Sequence, residues 1–255
     1  MNFSANLGFL WTELSLPDAI RAAKAAGFDA VECHWPYDTP SKEVKAALVE
    51  TGMPMLGLNT VRGNPGENGL SALPGRHSEA RAAIDQAIEY ADEINAGAIH
   101  VMAGFAQGAD ARSCFIENLQ YAASNAENKT ILIEPLNHYD APGYFLQTTD
   151  QAVAIIDELD LPNVKLMFDC YHVQLMEGDL SHRLTKLQTH IGHIQFAGVP
   201  ERGDPAMGEV NYSHIFRHIH EIGYAKPLGA EYKPNGPTEP TLGWLKGDLL
   251  LQLPR

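Results

Sequence analysis

Short apolar runs rich in β-branched or aromatic residues alternate along the chain with longer, often Ala-rich stretches whose apolar positions recur at helical spacing. The runs predict strands over 3–8, 29–34, 54–59, 98–103, 130–134, 164–169, 190–197 and 228–232. The stretches between them predict helices near 15–26, 40–51, 78–95, 111–126, 149–158, 174–187, 211–222 and 239–249. The first helix carries its own punctuation. Ser15 is a candidate N-cap, Pro17 falls in the first turn, and Gly27 marks the stop. The third is read the same way, with Gly97 following an amphipathic run through Ile84, Ile88, Tyr90 and Ile94.

Eight strand–helix units in 255 residues match the size of a single-domain (β/α)8 barrel, the TIM barrel. A doubly wound open sheet competes, but it usually shows a Gly-rich phosphate turn after its first strand, and here Gly8 stands alone. No linker or low-complexity segment divides the chain. The connections at 60–77 and 198–210 are long, and in a barrel the loops after strands build the active-site face, so both are candidate lids.

Polar residues interrupt four consecutive strands near their C-terminal ends. TILIEPLNH places Glu134 at the end of the fifth strand, VKLMFDCYH places Asp169 at the end of the sixth, HIGHIQFAG carries Gln195 in the seventh, and PLGAEYKP ends the eighth at Glu231. One glutamate at a strand end is more often a salt-bridge residue. Four such groups at equivalent places can converge, and hard oxygen donors favour Mg2+ or Mn2+ over zinc. Without a cation, the carboxylates would repel one another.

Other residues suit substrate handling. Arg202, soon after the seventh strand, has the guanidinium that clamps a carboxylate bidentately, and Lys233 follows Glu231. His172 can orient a ligand, bind a substrate oxygen or simply cap a helix start. Asn6 and Asn59 can donate to substrate or anchor backbone. His34, His100, His138, His190 and His193 are scattered without the HExxH spacing of a zinc site. Cys170, beside Asp169, reads as a buried structural thiol.

The net charge of −14 argues against a nucleic-acid or polyanion binder, whose affinity comes from Lys and Arg on phosphates. Cys33, Cys114 and Cys170 form no disulfide framework, and the N-terminal residues show no leader pattern, so a reducing cytoplasm is expected. No apolar run approaches the length that spans a bilayer. Ala-rich outer helices are compatible with a homo-oligomer but do not require one.

The segments FSANL, VECHWPYD, LNTVRG, GLSALPGR, IEPLNHYDAPGYFL, FDCYHVQLMEGDL, HIQFAG, RGDPAMGEVNY and EYKP closely resemble the hydroxypyruvate isomerase family with its 2-oxo-tetronate isomerase branch, among the xylose isomerase-like barrels. The resemblance runs from about residue 2 to about residue 246. It implies that Glu134, Asp169, Gln195 and Glu231 hold a divalent metal. It also implies that Glu134 and Glu231 form the acid/base pair and that His172 and Arg202 line a small hydroxy-keto acid substrate. The activity it implies is aldose–ketose isomerisation through an enediolate, as from hydroxypyruvate to tartronate semialdehyde. A ketose 3-epimerase and a barrel that only binds a sugar acid are the alternatives. The departures from the family pattern are His34, where relatives often carry an aromatic or apolar residue, Leu58, before Asn59, where some members carry a histidine, and Arg62, in a loop usually free of arginine.

Overall fold

The computed structural model describes residues 1–247. Eight parallel strands, β1 (Phe3–Asn6), β2 (Ala30–Glu32), β3 (Gly57–Asn59), β4 (Ala98–His100), β5 (Thr130–Ile133), β6 (Val164–Asp169), β7 (Ile191–Phe196) and β8 (Leu228–Ala230), form one sheet in the order β2-β1-β8-β7-β6-β5-β4-β3. The two ends of that order meet. Val31 bridges Met55, and the Asn59 amide donates to the His34 carbonyl at 2.8 Å. The sheet therefore curls into the expected barrel, and the short seam explains why β3 covers only the end of the predicted 54–59 run.

The helices that cross between strands are α1 (Leu16–Ala26), α2 (Ser41–Thr51), α3 (His77–Ile94), α4 (Gly108–Asn125), α5 (Thr149–Leu159), α6 (Cys170–Met176), α7 (Leu180–Leu187) and α8 (Tyr212–Glu221). The Ser15 hydroxyl accepts from the Asp18 amide and Gly27 takes φ 101°, so α1 starts and stops where its residues indicate. α3 stops two residues before Gly97, at Asn95, whose φ of 57° supplies the left-handed turn that Asn tolerates.

The helix expected over 174–187 is two helices. α6 begins directly at the end of β6, because Asp169 caps it: its Oδ1 accepts from the Tyr171 amide at 2.9 Å. The helix then breaks where Gly178 and Asp179 both take positive φ, 63° and 55°, before α7 resumes. The last predicted helix, 239–249, is a 3-10 turn (Glu239–Thr241) and a short helix, α9 (Gly243–Lys246); its positions 248 and 249 lie outside the described residues. Trp244 of α9 packs edge-on against Phe3 and Phe196, covering the outside of β1 and β7.

Strand periodicity sorts the residues into two environments. Phe3, Ala5, Val31, Ile99, Ile131, Ile133, Phe168, Ile194 and Phe196 join the large core between sheet and helices. The alternate set is unusually polar and includes the buried Ser4, Asn6, Glu32, His100, His193 and Gln195, with Ala98, Leu132 and Met167 forming a small apolar cluster of their own. The register between β6 and β7 shifts after Leu166, where Gly192 is the extra residue, and beyond the shift Asp169 pairs with Gln195.

Candidate active site

Continuing each strand by the same alternation places Glu134, Asp169, Gln195 and Glu231 in the alternate set at the C-terminal rim, and all four are buried. A cavity of about 330 Å3 at this rim is lined by Gly8, Phe9, His34, Trp35, Asn59, Arg62, His100, Glu134, His172, Arg202, Glu231 and Lys233, among others. A second cavity, about 290 Å3, runs along the barrel interior to the N-terminal ends of the strands at Pro54, Gly97 and Pro227. Asn59 and His100 line both cavities, and Gln195 lines the interior one.

Atoms offered by Glu134, Asp169 and His172 lie within 4.8 Å of one another. His172 Nε2 stands 3.6 Å from Asp169 Oδ2 and 3.8 Å from Glu134 Oε1. Its other nitrogen, Nδ1, accepts from the Asn137 backbone N–H at 3.0 Å. A backbone amide only donates, so the neutral ring carries its proton on Nε2 and presents a donor to the cavity. Burial, reinforced by Arg202, pushes the His172 pKa well down and favours that neutral ring.

Glu231 is the most heavily engaged group. Its Oε1 accepts from Asn6 Nδ2 at 2.8 Å and lies 2.8 Å from His34 Nε2, and its Oε2 accepts from Arg202 Nη2 at 2.6 Å. Burial alone would raise its pKa, but Arg202 and His34 outweigh that and hold it down to about 2. The same Arg202 nitrogen reaches Asp169 Oδ2 at 3.5 Å, and Arg202 Nη1 lies 3.6 Å from Asp140. The guanidinium sits 4.8 Å from the Phe9 ring and 5.0 Å from the Tyr171 ring. Its backbone takes φ 56°, an uncommon conformation for a residue other than glycine, at the tip of the tight loop after β7.

The remaining carboxylates are only partly compensated. Burial, with Glu231 and Asp169 adding to it, raises Glu134 well above the usual carboxylate range. Burial pushes Asp169 up to about 7 despite Arg202. Glu134 Oε1 and Gln195 Oε1 are buried oxygens with no hydrogen-bond partner. Mutually repelling carboxylates and orphaned hard oxygen acceptors are the features a bound divalent cation would relieve, so this donor set fits such an ion.

The structure thus gathers Glu134, Asp169, His172, Arg202 and Glu231 closely, and it puts Asn59 and Lys233 on the cavity wall. Asn6 is engaged within the site: Nδ2 donates to Glu231 and Oδ1 accepts from the Gly8 amide. Arg202 is not a free clamp, since three carboxylates surround it. Two of the histidines that look scattered in sequence belong here: His34 touches Glu231, and His100 Nδ1 stands 3.6 Å from Glu134 Oε2. Their strand-end positions and inward parity were the available signal. His193 pairs with Glu32 at 2.6 Å deeper in the barrel, whereas His138 and His190 contact Met176 and Asp157. The Cys170 thiol is buried and pushed well up by burial, which suits a structural role.

A buried carboxylate cluster on the C-terminal rim of a closed parallel barrel defines the class: an enzyme of the (β/α)8 type with its chemistry on the loop-bearing face. The chain belongs to the xylose isomerase-like TIM barrel family, which it matches over residues 20–247, and within it to the hydroxypyruvate isomerase group. It is 44% identical to 2-oxo-tetronate isomerase of Cupriavidus necator, over 96% of this chain and 97% of that one. It is 37% identical to hydroxypyruvate isomerase of Escherichia coli, over 96% and 98%. A Brucella melitensis crystal structure described as AP endonuclease, family 2, superposes with a TM-score of 0.92 at 35% identity, covering 96% of this chain and 98% of that one. The protein is an isomerase. Among the described residues, no helix is long and apolar enough to cross a membrane.

Proposed function

We propose that the protein is a metal-dependent aldose–ketose isomerase of a small hydroxy-keto acid, acting on hydroxypyruvate to give tartronate semialdehyde or on a 2-oxo-tetronate. The observation that carries this reading is the buried trio of Glu134, Asp169 and Glu231, with unpartnered oxygens on Glu134 and on Gln195. Glu134, Asp169, Gln195 and Glu231 would hold Mg2+ or Mn2+. Such a cation, when bound, supplies Lewis-acid polarisation of the substrate carbonyl.

The two glutamates then move the proton. One removes it from the carbon that bears the hydroxyl, leaving an enediolate whose electron pair lies between the two reacting carbons. Reprotonation at the neighbouring carbon, with the original hydroxyl giving up its proton and the former carbonyl oxygen gaining one, completes the isomerisation. Their environments push the two pKa values in opposite directions, the pattern that separates a base from an acid. His172 Nε2–H donates to a substrate oxygen, and Asn59 and Lys233 face the substrate from the wall and mouth. Arg202 steadies Glu231 and Asp169 rather than meeting solvent. Three unpaired cysteines fit our placement of the protein in the cytoplasm.

The test is turnover of metal-stripped protein against hydroxypyruvate and 2-oxo-tetronate, with Mg2+ or Mn2+ added back. Activity restored by the cation supports the reading; full activity in the stripped protein, or none on either acid after reloading, refutes it.

A further inference from the structure

We infer that Arg62 and Lys233 form the anion-recognising pair of the cavity and make the enzyme selective for an acidic substrate, held with its carboxylate at the mouth and its reacting carbons at the floor. This rests on the proposed isomerase reading for the identity of the substrate but on separate residues for its argument. Arg202, the cation sequence reasoning favours for this task, is buried and already shared among Glu231, Asp169 and Asp140. Arg62 and Lys233 line the same cavity, are exposed, and have no carboxylate partner among the described residues.

Both cations are held in place by aromatic rings instead, which leaves their charge unneutralised. The Arg62 guanidinium lies 4.8 Å from the Trp35 ring centre, and that ring is fixed by Trp35 Nε1 donating to the Thr60 carbonyl at 3.1 Å. The Arg62 carbonyl accepts from the Gly69 amide at 2.8 Å, which ties the loop beneath it. The Lys233 ammonium lies 5.5 Å from the Phe9 ring centre, and its backbone amide donates to the Arg202 carbonyl at 2.7 Å. The cavity is therefore polarised, with carboxylates at the floor and free cations at the mouth. A hydroxy-keto acid satisfies both ends at once, whereas a neutral sugar leaves the mouth unpaired.

The test uses the metal-loaded full chain and the variants Arg62→Gln, Lys233→Gln and the double variant. Two quantities are read: KM and kcat for hydroxypyruvate, and competitive binding of glycerate, an unreactive acid of the same length, against glycerol, its neutral counterpart. Each single change is expected to weaken glycerate and raise KM about fivefold, the upper range for an exposed charge pair, with a much smaller loss of kcat. Glycerol binding should not move, and melting temperatures should stay near that of the parent. Unchanged glycerate binding in the double variant, or an equal loss for glycerol and glycerate, overturns the assignment. A parent enzyme that binds glycerate through these residues but turns over neither acid would sink the isomerase reading and leave this one standing.

Discussion

Asn6 Nδ2 and Glu231 Oε1 meet at 2.8 Å although 225 positions separate them in the chain. The bond joins the end of β1 to the residue after β8, strands that lie side by side with Ala5 opposite Ala230. It forms only when the barrel closes on that side, so the orientation of Glu231 is a product of the whole fold. Replacing Asn6 by Ala removes one donor from a buried carboxylate. A hydrogen bond to a charged group contributes about 1.5–3 kcal/mol, so kcat/KM is expected to fall by roughly ten- to a hundredfold. Because Glu231 loses a donor that favours its ionised form, the acid limb of the kcat/KM profile should move to higher pH. A pH–rate series on both proteins checks this, and a superimposable profile counts against it.

Glu231→Gln keeps the shape and most hydrogen bonds but cannot accept the proton. Turnover is expected to drop by at least the ~10²–10⁴-fold typical of a lost general acid–base group. The far-ultraviolet circular dichroism spectrum should stay unchanged. Near-normal turnover would remove Glu231 from the chemistry.

Metal removal should make stability depend on pH through Asp169. Its carboxyl is moved from an ordinary value of 3.8 up to about 7 by burial, in the absence of a cation. A group whose folded-state pKa is raised contributes stability that is fully present below the unfolded value and lost as pH rises through the folded one. The chelated protein should therefore lose stability between about pH 4 and pH 7, by an amount on the order of a few kcal/mol. Asp169→Asn should lack the Asp169 part of that slope and keep the part contributed by Glu134, whose carboxyl burial also raises. Urea unfolding of both chelated proteins across this range measures the difference, which should be near zero at the acid end and grow upward. Mn2+ added at neutral pH should stabilise the parent far more than the variant; parallel curves for the two proteins would contradict the account.

Gly229 leaves the room that the polar interior of the barrel occupies. A Cβ there would fall 2.2 Å from Glu32 Oε1 and 2.9 Å from both Gln195 Cγ and His193 Nε2. Gly229→Ala is expected to cost about 1–3 kcal/mol, the usual range for overpacking. Trimming Glu32 to Ser in the same chain should recover part of the loss, because it removes the tightest contact. Thermal or urea unfolding of the single and double variants reads this directly, and an unaffected single variant would show that the neighbours yield freely.

Much of this molecule was readable from local pattern. Alternating strand and helix segments predicted the barrel, Ser15 and Gly27 bounded α1, and polar residues interrupting four strands near their C-terminal ends singled out Glu134, Asp169, Gln195 and Glu231. These features depend on residues a few positions apart, where backbone geometry imposes the spacing whatever the rest of the chain does. What pattern could not supply were contacts across the barrel and the course of the loops. The meeting of His34 with Glu231, the approach of His100 to Glu134, the enclosure of Arg202 by three carboxylates and the break at Gly178 and Asp179 all lie in that second class. Each depends on strand register, on closure of the sheet or on positive-φ turns, which bring together groups many positions apart. Local pattern thus determined where the strands and helices lie and which polar groups stand at strand ends; only the closed barrel decided which of them touch and which charges are left free for a ligand.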